Sequence, residues 1–258
     1  MSISVQDTGG LGGRLSVLVR QKRDHERLDA LLHQLEAVSA GAEEELVLNR
    51  ISRLVFAHAF AEESVLWPEL RRVLPDGDQL TVRVEREHQE VNELWAEIER
   101  LSPGSLGRRD AIARLIEVLR EDVRDEEDVL LPRLQEAVSQ RRLRVLGATW
   151  EAVRRTAPTR PHPVVSRRPP GNVVAAVPLS VIDRTRDVLD AAARRSERSR
   201  EPATRMSQGL AAVAGRVERA ALLRRGERPE TVTGDPVASD GVCSGGSHAR
   251  TRDGYSSS

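Results

Sequence analysis

The chain of 258 residues carries 40 basic and 40 acidic side chains, so its formal net charge is zero. The charge is unevenly distributed, because residues 1–147 hold 28 acidic against 21 basic side chains while residues 148–258 hold 12 against 19. The single cysteine, Cys243, excludes an intramolecular disulfide and a zinc site built from several thiolates.

Membrane and export signals are not apparent in the sequence. No stretch approaches the roughly eighteen consecutive apolar residues of a membrane-spanning helix. The N-terminus lacks the basic region followed by an apolar region that is typical of a signal peptide. We therefore expect a soluble, cytoplasmic protein with no membrane partner.

The first predicted helix runs from about Arg14 to Val38, after a flexible leader whose paired glycines disfavour a helix. His25 lies seven residues from both Leu18 and Leu32, on the buried side of this helix. His33 lies off the apolar stripe and is not expected to bind metal. The stripe consists of Leu15, Leu18, Leu28, Leu31, Leu32 and Leu35.

The second predicted helix ends near Val73 and contains the stretch from His58 to Leu70. His58 and Glu62 are one helical turn apart and fall within a series of apolar residues spaced by threes and fours. Two ionisable side chains therefore point into a core, where each must be paired or bound to a cation. Pro68 removes a backbone hydrogen bond, so we expect a kink or local unwinding one to two turns beyond Glu62.

The third predicted helix runs from about Gln79 to Leu101, and the fourth from the residues after Ser105 to about Arg142. His88 occupies a core position in the third helix. Two acidic residues interrupt the apolar seam of the fourth helix. In chain order that seam reads Ile112, Leu115, Leu119, Asp122, Glu126 and Val129.

Two internal repeats relate the halves of this region. The stretch from His58 to Leu70 recurs 64 residues later as Asp122 to Leu134, with the Glu-Glu pair, the Val-Leu pair, the proline and the final leucine in register. A second repeat, offset by 63 residues, relates the surroundings of His25 to those of His88. The region therefore reads as two copies of a helical hairpin, each with a histidine on its first helix and two ligand-type groups on its second.

The connections predict an all-α, up-down-up-down four-helix bundle over residues 14–145, because loops of about four to six residues require antiparallel neighbours. With a rise of about 1.5 Å per residue, six ionisable groups reach one height inside the bundle. These groups are His25, His58, Glu62, His88, Asp122 and Glu126. A metal site is one interpretation, and a set of buried ion pairs without metal is the other.

This pattern of histidines and Glu-Glu pairs on four helices resembles the hemerythrin-like, HHE cation-binding domain family. The resemblance covers residues 14 to about 145 and implies a centre of two non-haem iron ions with oxo and carboxylate bridges. Family members bind oxygen, sense oxygen, iron or nitric oxide, store iron, or repair iron–sulfur centres. The resemblance implies terminal ligation by His25, His58 and His88, and bridging by Glu62 and Glu126.

Asp122 stands where that family usually has a histidine. A carboxylate is a harder, anionic ligand that favours ferric iron or Mn(II), which argues against reversible oxygen carriage. Because Asp is shorter than His, it either binds the metal directly or reaches it through water. The acids next to the candidate ligands, which are Asp24, Glu63, Glu87 and Glu127, are predicted to be solvated or to support the ligands from outside.

The composition changes after Gly147. Residues 154–171 contain five Arg, five Pro and no acid, which predicts an extended segment that lies along the acidic bundle or stays free. We expect residues 148–200 to form a basic extension with a short helix near Ser180, and residues 201–258 to be mostly disordered apart from a weak helix at 208–224. His162 and His248 have no evident partner and are not expected to bind metal.

Three functions are compatible with the sequence. The first is a non-haem iron protein that binds or senses O2 or NO, or handles iron, with redox turnover left open. The second is a regulatory module whose bundle senses metal or redox state and whose basic tail binds a protein partner. The third is a structural bundle without metal. Nucleic-acid binding is disfavoured, because the basic tail has no interleaved aromatic residues.

Overall fold

The computed structural model describes residues 1–160, 162 and 171–218, and the regular elements in this part of the chain are all helical. The predicted all-α class is therefore confirmed. The first six α-helices are α1 (Val17–Ala37), α2 (Ala42–Ala61), α3 (Trp67–Val73), α4 (Gly77–Arg100), α5 (Leu106–Asp125) and α6 (Leu131–Ala137). Three more follow, α7 (Gln140–Thr156), α8 (Gly171–Arg195) and α9 (Glu197–Glu218). Among the described helices, none is both long and apolar enough to cross a membrane.

Two short π-helical segments, Glu62–Leu66 and Glu126–Leu130, join α2 to α3 and α5 to α6. In each case the next N–H group, that of Trp67 or Leu131, donates to the carbonyl five residues earlier. The local unwinding expected one to two turns beyond Glu62 is therefore a π-helical turn that begins at Glu62 itself. A proline follows both segments, so the internal repeat of the sequence becomes a repeat of this wide turn.

Two apolar clusters fill the bundle, and each buried aliphatic or aromatic side chain in them stabilises the fold by roughly 1.5–3 kcal/mol. The first cluster includes Leu28, Leu35, Val47, Ile51, Trp95, Ile98, Ile112 and Leu119. The second includes Leu18, Leu66, Trp67, Leu70, Val84, Leu130, Leu134 and Trp150. Along each of the four longest chain segments of the bundle, the candidate metal residues lie between residues of one cluster and residues of the other.

The fourth predicted helix does not run to Arg142, because the helical conformation ends at Ala137. Val138 is extended, and the hydroxyl of Ser139 accepts a hydrogen bond of 3.2 Å from the N–H of Arg142, which caps a new helix. This helix, α7, packs against α1 and α2 and continues to Thr156. The prediction of an extended segment from residue 154 onwards was therefore wrong for the last turn of α7, which ends at Thr156.

The leader, predicted to be flexible, packs onto the bundle. Ile3 is fully buried, and its N–H donates to the carbonyl of Glu127 at 3.0 Å. The ammonium group of Lys22 donates to the carbonyl oxygens of Ser4 (2.6 Å) and Gln6 (2.8 Å). The glycines that disfavour a helix thus allow the leader to fold back along the start of α1.

Two positions predicted to face the core are exposed instead, Leu15 by 63% and Val129 by 39%. Leu15 precedes the N-cap of α1, so it does not follow the helical periodicity. Val129 lies in the second π-helical segment, where the extra residue in the turn changes which side chains face inward. Both errors arise from extending an α-helical period beyond the helix.

Helix α8 begins at Gly171, earlier than the start predicted near Ser180, and it contains Pro178. Helix α9 covers the first part of the stretch predicted at 208–224 but begins earlier, at Glu197. The end of that stretch, the predicted disordered region after residue 218 and His248 lie outside the described residues.

Contacts join the basic extension to the bundle. His162, predicted to have no partner, is buried, with its Nε2 atom 3.0 Å from Oδ2 of Asp183 in α8. Its backbone N–H donates to Oδ1 of Asn92 in α4 at 3.1 Å. Arg53 of α2 lies 3.2 Å from Asp187 of α8. The extension therefore lies along the bundle over its described part.

The contact between α7 and α1 is close enough to require glycine at position 147. A Cβ atom there would lie 2.2 Å from the carbonyl oxygen of Leu15 and 2.9 Å from the nitrogen of Val17. We expect Gly147→Ala to lower the free energy of unfolding by about 2 kcal/mol or more, because α7 must move away from α1. Gly209→Ala in α9, where a Cβ meets nothing within 4 Å, is the control and should be neutral or stabilising. Urea unfolding checks both, and equal stabilities would contradict the close contact.

Candidate metal centre

Six ionisable side chains meet between the two apolar clusters. They belong to two overlapping groups, within each of which the donor atoms lie within 4.8 Å of one another. One group is His25, His58, Glu62 and Glu126, and the other is His88, Asp122 and Glu126. The structure thus brings together all six residues that the sequence singles out. His33, which the sequence excludes, is 63% exposed in its side chain.

The carboxylates of Glu62 and Glu126 lie between the histidines. Oε1 of Glu62 is 3.1 Å from Nε2 of His58, and its Oε2 is 3.7 Å from Nε2 of His88. Oε2 of Glu126 is 3.1 Å from Nε2 of His25, and its Oε1 is 3.9 Å from Nε2 of His88. Each carboxylate therefore presents its two oxygens to two different imidazoles.

Many of the inward-facing atoms of this cluster are not satisfied by hydrogen bonds. Within the described part of the chain, no hydrogen bond of acceptable geometry is made by Nε2 of His25 and His58, both oxygens of Glu62, Oδ1 of Asp122 or Oε1 of Glu126. A buried polar atom without a partner costs about 1–3 kcal/mol, so such atoms seldom gather without a ligand. Imidazole nitrogens and carboxylate oxygens suit iron or manganese. The residues present fit a metal centre.

The outer nitrogen of each histidine is held by a second carboxylate. A carboxylate at Nδ1 fixes the proton there and leaves Nε2 free to point inward. The pairs are His25 with Glu127 at 2.9 Å, His58 with Asp24 at 3.4 Å, and His88 with Glu63 at 2.9 Å. Three of the four acids predicted to be solvated or supporting are therefore supporting groups.

The π-helical segments explain how two consecutive glutamates can both face the site, one toward its middle and the next toward a histidine Nδ1 atom. Successive side chains diverge by about 100° on an α-helix, which would turn the residue after a buried one sideways. The wider turn at Glu62 keeps both Glu62 and Glu63 in the interior, with exposed fractions of 0% and 2%. The same turn recurs at Glu126, whose neighbour Glu127 reaches His25.

Burial and mutual charge shift the pKa values of the cluster. Burial lowers the pKa of His25, but Glu126 and Glu127 more than offset this and raise it to about 9. Burial and the neighbouring Glu126 raise the pKa of Glu62, and the same two causes raise that of Asp122 well above its usual value. Burial alone would raise the pKa of Glu126, but the neighbouring His25 and His88 have the larger effect and hold this pKa well below its usual range. Without metal, burial likewise lowers the pKa values of His58 and His88, but neighbouring carboxylates outweigh it and raise them well above their usual value, which favours protonated histidines.

Helix α7 adds residues that the sequence analysis did not identify. The ring of Trp150 meets that of His58 edge-on, with 5.4 Å between centroids. Arg154 lies 3.7 Å from Asp24, which holds His58, and 5.3 Å from the Trp150 ring centre. The sequence does contain a pattern that predicts this helix, because Leu143, Leu146 and Trp150 are spaced by three and four residues.

Removing a supporting charge should weaken metal binding while leaving the inner ligands in place. We expect Glu63→Gln to raise the dissociation constant for metal by roughly 10–100-fold, because the amide still accepts a hydrogen bond from His88 but no longer offsets charge. Glu121→Gln, an exposed change on α5, should have no effect. Competition with a chelator measures both constants, and equal values would argue against a supporting role.

The sequence of this chain is similar to a protein family and to two curated proteins. The family model described as the hemerythrin HHE cation binding domain matches residues 17–134. An uncharacterized hemerythrin-like protein of Schizosaccharomyces pombe is 25% identical over 134 residues, which are 52% of this chain and 66% of that protein. A DNA nickase of Nostoc sp. PCC 7120 is 27% identical over 118 residues, 46% of this chain and 33% of that protein. The chain thus spans less than two thirds of either relative, and no solved structure matches it.

Proposed function

Residues 17–134 are a hemerythrin HHE cation-binding domain, and from this premise we propose that the chain binds iron at a centre of two non-haem ions. Glu62 and Glu126 would hold both ions, because each carboxylate presents its oxygens to two different imidazoles. The other ligands in this proposal are His25, His58, His88 and Asp122.

One observation carries this proposal: donor atoms of several acids and histidines face one another in a buried layer without hydrogen bonds. A purely structural layer of ion pairs would gain by bringing these atoms into hydrogen-bonding geometry, since each buried polar atom without a hydrogen bond destabilises the fold. Two bound cations, one in each group of donor atoms, would satisfy them. The metal-free bundle is therefore the weaker alternative.

Bound iron supplies a redox-active site that takes O2 or NO as a small ligand. The chain supplies orientation, because carboxylates at the three Nδ1 atoms hold the imidazoles in place. Two apolar clusters lie on either side of the centre along the helices. We propose sensing or iron handling rather than reversible oxygen carriage, because Asp122 adds an anionic ligand that favours the ferric state.

We also propose the up-down-up-down arrangement of the four helical segments in the bundle. Its support is the order of the apolar clusters along the chain. The first segment passes from the second cluster at Leu18 to the first at Leu35, and the next returns from Ile51 to Leu70. The remaining two repeat this alternation. The domain then extends beyond residue 145 to Thr156, since α7 packs on α1 and α2.

A regulatory function is the second candidate, favoured by the contact of α7 with the centre. Trp150 touches His58 and Arg154 reaches Asp24, so movement of the basic extension would alter a ligand and its support. The relative named a DNA nickase aligns over only a third of its length, so its activity is not proposed for this chain. A protein partner of the extension remains a proposal.

Metal analysis of purified protein tests the main proposal. Protein supplied anaerobically with Fe(II) should retain about two iron atoms per chain after removal of excess metal, and its absorption spectrum should differ between air and dithionite. His58→Ala should lower both the iron content and the melting temperature, because bound metal stabilises the folded state. Wild-type protein that retains far less than one iron per chain would overturn the proposal.

A further inference from the structure

A cavity of about 440 Å³ lies between α1 and α5, directly beside the metal centre. His25 and Glu127 are part of its lining, and the leader contributes Ser4 to its wall. Its apolar walls are formed by Leu28, Leu32, Leu119 and Val123. Neither the iron nor its diatomic ligands account for a space of this size.

This cavity adjoins the interior of the centre. A much smaller cavity of about 20 Å³, lined by His58, His88 and Asp122, shares four wall residues with the larger one. The shared residues are His25, Leu28, Leu119 and Val123. The larger cavity therefore reaches one candidate ligand, His25, directly and shares a wall with the smaller space, which three others line.

The volume decides what kind of molecule the larger cavity suits. A water molecule occupies about 30 Å³ in the liquid, and a diatomic gas is of similar size. Sites for organic ligands are typically about 300–1,000 Å³, with mainly apolar walls and a few polar groups that fix orientation. The cavity beside the centre falls in this second range.

Two cations at the cavity, Lys22 and Arg124, form no ion pair with a residue in the described part of the chain. Lys22 donates to two backbone carbonyls, and Arg124 donates through Nε to the carbonyl of Arg120 at 3.2 Å. Arg120 itself pairs with Glu36. The lining acid Asp29 lies 3.4 Å from His33, and Glu26 and Glu127 complete the acidic lining. Lys22 and Arg124 therefore offer positive charge to a ligand.

We propose that this cavity binds an organic acid, with its carboxylate at Lys22 and Arg124 and its apolar body against the leucines and Val123, pointing toward the metal centre. Binding of such an acid would give the centre a substrate or effector larger than O2 or NO. The approach to the metal rests on the proposed function. Occupation of the cavity does not, because it involves side chains that are present without metal.

Decanoate and uncharged 1-decanol are suitable probes for the full-length chain, with and without iron, by isothermal titration calorimetry. We expect saturable binding of decanoate, and about tenfold weaker binding to Val123→Phe, which fills the inner wall. Leu106→Phe, on the same helix but 72% exposed and outside the cavity, is the matched control. Arg124→Gln should weaken decanoate binding by roughly threefold or more and leave decanol unchanged.

Arg141→Gln, which replaces an exposed arginine of α7, is the charge control. Arg124 is exposed, so its replacement tests the proposal even if Val123→Phe fails to fold. Absence of saturable decanoate binding overturns the proposal, as does equal affinity of Arg124→Gln and wild type. Decanoate binding by a chain that retains no iron would support the cavity and overturn the metal centre. Iron binding without decanoate binding would do the reverse.

Discussion

Replacing Glu126 by Gln is expected to reduce the iron content from about two atoms per chain to about one or fewer. Glu126 is 1% exposed and is the residue shared by the two groups of donor atoms. Gln has nearly the same shape, so the fold is retained, but it lacks the charge and the second oxygen needed to join two ions. Elemental analysis after loading with Fe(II) and removal of excess metal measures the change.

Glu121→Gln, an exposed substitution on α5, controls for loss of one negative charge and should retain the wild-type iron content. Asp122→Asn distinguishes two roles of Asp122. If Asp122 binds the metal directly, iron is lost as in Glu126→Gln, and if it acts through water, most of the iron remains. Full iron content in Glu126→Gln would be incompatible with a bridging carboxylate.

Asp122→His restores the residue that the internal repeat has at position 58. A neutral imidazole replaces an anionic ligand, so the ferric state should be less favoured and the reduction potential should rise. Redox titration followed by absorption measures this, and an unchanged or lower potential would contradict the assignment.

The second large effect concerns pH, which should act in opposite directions on the metal-free and the metal-loaded protein. In the metal-free chain the pKa of His25 rises from 6.5 to about 9, because Glu126 and Glu127 outweigh the effect of burial. A group whose pKa is raised by folding stabilises the fold fully below its unfolded value and loses that contribution as pH rises through the folded value. The free energy of unfolding of the metal-free protein should therefore fall by roughly 3 kcal/mol between pH 6.5 and 9. This corresponds to a fall on the order of 10 °C in melting temperature.

The raised pKa values of Glu62 and Asp122 act in the same direction, since stability is lost as these groups are forced to ionise. Metal binding reverses the trend, because a histidine must release its proton to bind the ion, and affinity increases with pH over this window. Melting curves with and without stoichiometric metal test the contrast. His33→Gln, which removes an exposed histidine, should leave both profiles unchanged. Parallel profiles for the two forms would contradict metal binding at His25.

The sequence alone predicted the helical class, which the structure confirms, and the six residues that the structure brings together. Apolar residues at three- and four-residue spacing mark a buried helix face, and His25, His58, Glu62, His88, Asp122 and Glu126 interrupt that face. A buried charge destabilises the fold unless it is paired or bound to a cation, so these interruptions carry information about a site. The internal repeat added evidence, because both copies place Glu-Glu before a proline.

Only the tertiary structure decided how the centre is supported and covered. The wide turns at Glu62 and Glu126 alter which side chains face inward, and an α-helical period does not predict them. Contacts of Ile3 with the second apolar cluster and of Trp150 with His58 join residues far apart in the chain. Local periodicity specifies which face of a helix is apolar, but not which distant segment covers it, since that depends on how all the helices fill the space between them.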